Sequence, residues 1–184
     1  MEDNLFVLKE IKLKNGQILI LRKPTVNYAE KMVNYLNIVG GESDNLLFGK
    51  NEFHLSVEQE KEYIKNLSNQ EEAFIVIGVI NNEVVSVAQI RKLGRKRIAH
   101  NSEIAISVKK DFCGIGVGSA VMEQLIEFAK NNNILNISLG VKASNSTAIN
   151  LYKKFGFEEV GVHKNYFNIN GVFDDEILMD LYLN

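Results

Sequence analysis

The residues from Ile106 to Lys130, ISVKKDFCGIGVGSAVMEQLIEFAK, run an apolar strand into a turn punctuated by Gly114, Gly116 and Gly118 and then directly into an amphipathic helix. That order builds a cradle for an anion. Alternate glycines let a ligand approach the main chain without meeting a Cβ, and the first amides of a helix are unpaired donors at the positive end of its dipole. The expected guest is a pyrophosphate. Two familiar phosphate loops are excluded. A triphosphate loop, GxxxxGK followed by Ser or Thr, needs Lys directly after its last glycine, whereas Gly118 is followed by Ser119 and Ala120. The dinucleotide spacing GxGxxG is also absent, and no acidic residue closes a strand about 20 residues further on.

A second segment, Asn145 to Phe157 (NSTAINLYKKFGF), opens a helix on Asn, carries a Leu-Tyr pair and stops at Gly-Phe. Together the two segments resemble the acyl-coenzyme A loop and the other conserved block of the GNAT N-acetyltransferases. The loop signature of that family is Gln or Arg, two residues, Gly, one residue, then Gly or Ala, and Gly116 and Gly118 take its two small positions. Cys113 stands where the family has Gln or Arg. Because the loop works through main-chain amides, this departure bears more on the motif than on binding. The resemblance runs from about Val76 to the C-terminus and includes the spermidine and ribosomal-protein acetyltransferase branches; the N-terminal third matches in element order only.

The resemblance implies acetyl-coenzyme A as co-substrate, held at its pyrophosphate by Gly114 and by the amides of Ile115, Gly116, Val117, Gly118 and Ser119. It implies that peptide N–H groups at Ile106, Ser107 and Val108 stabilise the thioester oxyanion. Asn145, on its own an N-cap, would also bond the pantetheine arm. Tyr152 lies one place beyond the helical stripe of Ala148, Leu151 and Phe155, where a tyrosine covers the edge of a sheet. By resemblance its hydroxyl stands beside the coenzyme A sulfur, and a phenol of pKa about 10 can pass a proton to a thiolate of about 8.5. Glu103 reads either as an acid on a solvated strand face or, by resemblance, as the base for the acceptor. A base is needed because a primary amine of pKa about 10.4 is almost wholly protonated at neutral pH. Cys113 has no His close in sequence to raise its thiolate content, so a nucleophilic role is not expected.

The surrounding elements follow from periodicity and turn residues. Gln17 to Arg22 reads as a strand, and Thr25 caps a helix carrying Ala29, Met32, Val33 and Leu36 that Gly40 and Gly41 are expected to stop. Gly41 to Leu55 has no period, predicting a mobile insert, and Ser56 with Gln59 forms a capping box for a second helix. Strands on either side of Asn81-Asn82 make a hairpin, and Arg97 to Val108 alternates as a third strand. Val117, Val121, Leu125 and Phe128 form the apolar stripe of the glycine-loop helix. Leu135 to Val141 is the next strand. Phe157 to Asn168 and Val172 to Leu183 pair across Asn170-Gly171. This β-α-α-β-β-β-α-β-α-β-β order is the GNAT order, an α/β (α+β) fold with a mixed central sheet of about six to seven strands flanked by helices.

With 184 residues, 46% apolar and 24% charged, the chain suits one unit, residues 1–184, with a core that needs no staples. A net charge of −2 gives no reason to expect nucleic acid or an anionic membrane as partner. One Cys and no N-terminal apolar segment read as cytoplasmic, and three scattered His with one Cys predict no metal. The basic run Arg91, Lys92, Arg95, Lys96 and Arg97 reads as a solvated hairpin tip. Glu42, Asp44, Glu52 and His54 sit in or beside the insert, which the family uses as one wall of the acceptor site, so the acceptor leans toward a cationic amine: a small amine or polyamine, or alternatively a protein N-terminus. A non-catalytic acyl-coenzyme A-binding module is the rival from another class. A homodimer stays open.

Overall fold

The computed structural model describes residues 5–68 and 72–183; the expected limits of the unit, residues 1 and 184, lie outside them. Strands β1 (Val7–Lys12) and β2 (Ile18–Arg22) form a hairpin, followed by helices α1 (Ala29–Glu42) and α2 (Val57–Ser68). A meander of β3 (Ala73–Ile80), β4 (Glu83–Lys92) and β5 (Asn101–Val108) comes next, and α3 (Val117–Asn131) crosses over to β6 (Asn136–Lys142). Helix α4 (Ser146–Lys154) then leads to the hairpin of β7 (Glu158–Ile169) and β8 (Val172–Tyr182). Among the described residues eight strands lie in one sheet in the order β1-β2-β3-β4-β5-β6-β8-β7. Neighbours are antiparallel except β5 and β6, whose crossover is α3. Two hairpins close on residues with positive φ, Asn81 and Asn82 at 49° and 67°, Asn170 and Gly171 at 53° and 85°. This geometry matches the right-handed twist of the strands, as the Asn-rich turns predict.

Each face of the sheet carries its own apolar core. On one, Val117, Val121 and Leu125 of α3 pack on Val76, Ala88 and Ile90. On the other, Met32 and Tyr35 of α1 and Ile64 of α2 pack on Ile75, Ile77 and Val79. Strand β3 is buried along its whole length because it lies under both layers, and its run AFIVIGVI is apolar without alternation for that reason. Helices α1 and α2 sit over β3 and β4. Beyond them, on the same face, Glu103 and Ala105 of β5 and Gly140 of β6 stay exposed. An open trough therefore crosses the middle of the sheet between the α1–α2 layer and the β7–β8 hairpin.

Three expectations are corrected. The sheet has eight strands, not six to seven, because VLKEIK pairs at the edge as β1 with most of its side chains in solvent, where charges carry no penalty. Helix α1 does not stop at Gly40 and Gly41 but runs through both to Glu42. A Cβ on Gly40 would lie 2.5 Å from the Gly49 carbonyl oxygen and 2.9 Å from the Phe48 ring, so this glycine seats the insert against the helix. Strand β5 begins at Asn101, not Arg97, since Lys96–Ile98 forms a 3-10 turn. The basic run thus sits at the β4–β5 connection, at the end of β5 away from the glycine loop. None of the described helices is long and apolar enough to cross a membrane.

Candidate active site

The β5–α3 loop has the geometry of an anion cradle. Gly114 and Gly116 hold φ of +77° and +113°, values that disfavour a side chain, and Gly114 has open space where a Cβ would be. Gly116 is the N-cap of α3, and the first helical bond is given by Ala120 N–H to its carbonyl at 3.1 Å. The amides of Val117, Gly118 and Ser119 precede that bond and carry the positive end of a 15-residue helix. Lys14 N–H donates to the Ile115 carbonyl at 3.3 Å, tying the loop to the β1–β2 turn. Gly118 serves packing: its Cβ would come 3.1 Å from Leu151 Cδ2, so it brings α3 close to α4. The residues present fit a pyrophosphate.

Cys113 is exposed as a residue, but its sulfur lies 3.5 Å and 3.9 Å from the carbonyls of Lys109 and Val108. Burial and then the Glu42 carboxylate push its thiol above the ordinary range, the wrong direction for a nucleophile.

The parallel pairing of β5 with β6 covers only Asn101↔Asn136, Ser102↔Ile137 and Glu103↔Ser138. Past Glu103 the two strands part. Leu93 N–H donates to Asn101 O, and Lys109 N–H to Val85 O, so the odd-numbered residues of β5 bond to β4. By alternation Ile106 and Val108 turn their peptide groups toward the gap, while Ser107 turns its own toward β4. Ser107 acts through its hydroxyl, which accepts from Tyr35 Oη at 2.9 Å and donates to Val87 O at 3.3 Å. Burial above all raises the Tyr35 phenol well beyond its usual range, so this link pins α1 to β5 as a neutral hydrogen bond.

On the α3 side of the sheet, Asn145 caps α4, its Oδ1 accepting from Ala148 N–H at 3.2 Å. Tyr152 is 8% exposed, packs its ring 5.8 Å from Phe157, and has its phenol pushed up to about 12 by burial. The hydroxyl at this position therefore keeps its proton throughout the physiological range and is available as a hydrogen-bond donor.

On the trough side, Glu103 is exposed and stands in register with Arg91 of β4. The acids of the insert are partly committed elsewhere. Glu42 Oε2 accepts from Lys110 N–H at 2.8 Å, and Glu52 Oε2 from Gly49 N–H at 2.7 Å, so both hold loops in place. Asp44 and His54 are exposed. The sequence gives no hint of a further carboxylate on this face, Glu176 of β8, which is buried and lies 2.9 Å from His163 Nδ1. Its position depends on the register of β6, β7 and β8, which no local pattern carries. Among the described residues no group of three or more His, Cys, Asp or Glu is placed to hold a metal. A separate cavity of about 630 Å³ lies along the last turns of α3, lined by Ile126, Lys130, Phe155 and Leu181 among others, and holds none of the site residues.

Comparison with known proteins agrees with this geometry. A family model described as the acetyltransferase (GNAT) family matches residues 44–157, more than half of the chain. The [ribosomal protein bS18]-alanine N-acetyltransferase of Escherichia coli K12 is 36% identical over 76 residues, 41% of this chain and 51% of the relative. The L-amino acid N-acetyltransferase of the same strain is 34% identical over 105 residues, 56% and 65% of the two chains. The chain thus spans about half to two thirds of the length of these curated relatives. A crystal structure of a GNAT-family acetyltransferase from Streptococcus pneumoniae matches with a TM-score of 0.86 at 26% identity, over 90% of this chain and 99% of that one. The glycine cradle, the parted strands and the matched segment lead to one conclusion: the chain belongs to the acetyltransferase (GNAT) family.

Proposed function

We propose that this chain transfers the acetyl group of acetyl-coenzyme A to a primary amine by direct attack within a ternary complex. The observation that carries this reading is the gap between β5 and β6 beyond Glu103, which joins the glycine cradle on one side of the sheet to the open trough on the other. The donor enters from the α3–α4 side, with its pyrophosphate on the amides of Val117, Gly118 and Ser119. Asn145 and Tyr152 flank the pantetheine arm and the sulfur. The acceptor enters from the trough.

An ammonium has no lone pair, so a trough carboxylate first takes one proton from it. The freed nitrogen attacks the thioester carbonyl, and the oxyanion meets the peptide N–H groups of Ile106 and Val108. As the carbon–sulfur bond breaks, Tyr152 donates a hydrogen bond to the developing thiolate. Of the two protons nitrogen loses, one ends on sulfur and the other leaves to solvent. No enzyme nucleophile is required, in keeping with the raised Cys113 thiol.

Mass spectrometry of acetyl transfer tests the reading across a panel of 1,4-diaminobutane, spermidine, L-amino acids and a tetrapeptide with a free N-terminal alanine. The expected result is the gain of one acetyl group on an amine of at least one compound. Folded protein that binds acetyl-coenzyme A yet acetylates none of them would instead support the non-catalytic binding module.

A further inference from the structure

The side chain of Glu176 takes no part in the glycine cradle or in the packing of Tyr152. Glu176 pairs in register with Lys142 of β6 on one side and with His163 of β7 on the other, so it stands on the sheet face that α1 and α2 leave open. It does not stand upright. Its carboxylate leans back over β6, where a Cβ on Gly140 would collide with Oε1 and lie 2.6 Å from Cδ. Gly140 is therefore the residue that lets a carboxylate from β8 lie across β6.

The lean is toward the gap. Continuing the register of Glu103 with Ser138, Ala105 falls opposite Gly140 across the parted strands, and both residues are small and exposed. The Glu176 side chain is only 10% exposed and bonds His163 through Oε2 at 2.9 Å. Lys142, the cation next to it in register, turns instead to Asp174 at 3.8 Å, while Oε1 lies over Gly140. Glu103 differs in each respect. It stands where β5 and β6 are still paired, it is solvated, and Arg91 faces it from β4. A carboxylate sheltered from water attracts a cation more strongly than a solvated one.

Resting on the acetyltransferase reading, we propose that Glu176, and not Glu103, binds the acceptor's ammonium and takes its proton. In the step, one N–H bond of R–NH3+ breaks and its proton joins the Glu176 carboxylate. The nitrogen lone pair forms the C–N bond, the C–S bond breaks, and a second proton from nitrogen ends on sulfur. The proton on Glu176 leaves by way of His163, whose side chain is 54% exposed and so reaches solvent.

The test measures kcat/KM for 1,4-diaminobutane and for the alanine tetrapeptide, together with calorimetric binding of acetyl-coenzyme A and of 1,4-diaminobutane to the coenzyme A-loaded protein. Glu176→Gln is expected to lower kcat/KM by at least about 100-fold and to weaken diamine binding, with acetyl-coenzyme A affinity unchanged. Glu103→Gln is expected to stay within a few-fold of wild type. The double variant Gly140→Glu/Glu176→Ala returns a carboxylate to the same wall from β6 and is expected to recover at least about a tenth of the lost kcat/KM, which a merely structural Glu176 would not allow. Wild-type kinetics and diamine binding in Glu176→Gln, or the full loss in Glu103→Gln, would overturn the proposal. Absence of transfer by the wild-type chain to every amine would sink the acetyltransferase reading itself, and the ammonium site would then stand or fall on diamine binding alone.

Discussion

The glycine-loop side and the trough side of the parted strands are built on different principles. The cradle is made of main chain: three glycines and the first amides of α3, contiguous in sequence, with side chains that matter mostly for being absent. The trough is made of side chains from β5, β6, β7 and β8, brought together only when the sheet closes. A main-chain site tolerates substitution of its side chains so long as φ and open space are kept. A side-chain site fails one residue at a time. That difference explains how Cys113 can replace the usual Gln or Arg at the head of the loop while the cradle keeps its shape.

Substitutions on the two sides are expected to differ in their cost. Tyr152→Phe is expected to lower the catalytic rate by about 10²-fold to 10⁴-fold with acetyl-coenzyme A affinity near wild type, because the ring packing on Phe157 survives and only the hydrogen bond to the thiolate is lost. Steady-state rates and calorimetry on one folded preparation separate the two. Since burial pushes this phenol up to about 12, the wild-type rate is also expected to show no fall attributable to Tyr152 between pH 9 and 10.5, where an ordinary phenol of pKa about 10 would lose its proton. A tyrosine-dependent fall in that range would place the hydroxyl in water.

Gly40→Ala probes the insert that packs on α1. The added methyl meets the Gly49 carbonyl and the Phe48 ring, an overpacking cost of about 1–3 kcal/mol, offset by about 1 kcal/mol of helix propensity. A drop in melting temperature of a few degrees and faster tryptic cleavage at Lys50 are expected, with acetyl-coenzyme A binding unchanged. Unaltered cleavage would mean that the insert does not depend on this contact. Cys113→Ala should have the smallest effect, turnover within a few-fold of wild type, since the sulfur only contacts two carbonyls and its proton is firmly held. Intact-protein mass spectrometry that trapped an acetylated Cys113 during competent turnover would contradict direct transfer.

What was legible in the sequence follows the same division. The cradle, the N-cap at Asn145 and the capping box, in which Gln59 N–H donates to Ser56 Oγ at 3.2 Å and Ser56 N–H to Gln59 Oε1 at 2.8 Å, are local patterns with local causes. So are the Asn-rich hairpins. Gly40 misled because a paired glycine ordinarily ends a helix, and its reason for being glycine lies in a loop that packs back on it. Glu42 and Glu52 looked like an acidic wall because sequence does not show which backbone amide a carboxylate will cap. Gly140, His163 and Glu176 carried no signal at all, since one residue of slip in β6, β7 or β8 would send the residue it carries to the opposite face.

Whether the glycine loop holds the donor is decided by a calorimetric titration of acetyl-coenzyme A into the wild-type chain and into Gly116→Asp, with circular dichroism to check that both are folded. At φ +113° an L side chain is strained, and a carboxylate at the N-cap adds negative charge beside the amides proposed to hold the pyrophosphate. The account predicts one site per chain in the wild type and binding weakened beyond detection in the variant. Equal affinity in a folded Gly116→Asp variant would contradict it, because the donor would then be held by something other than this loop.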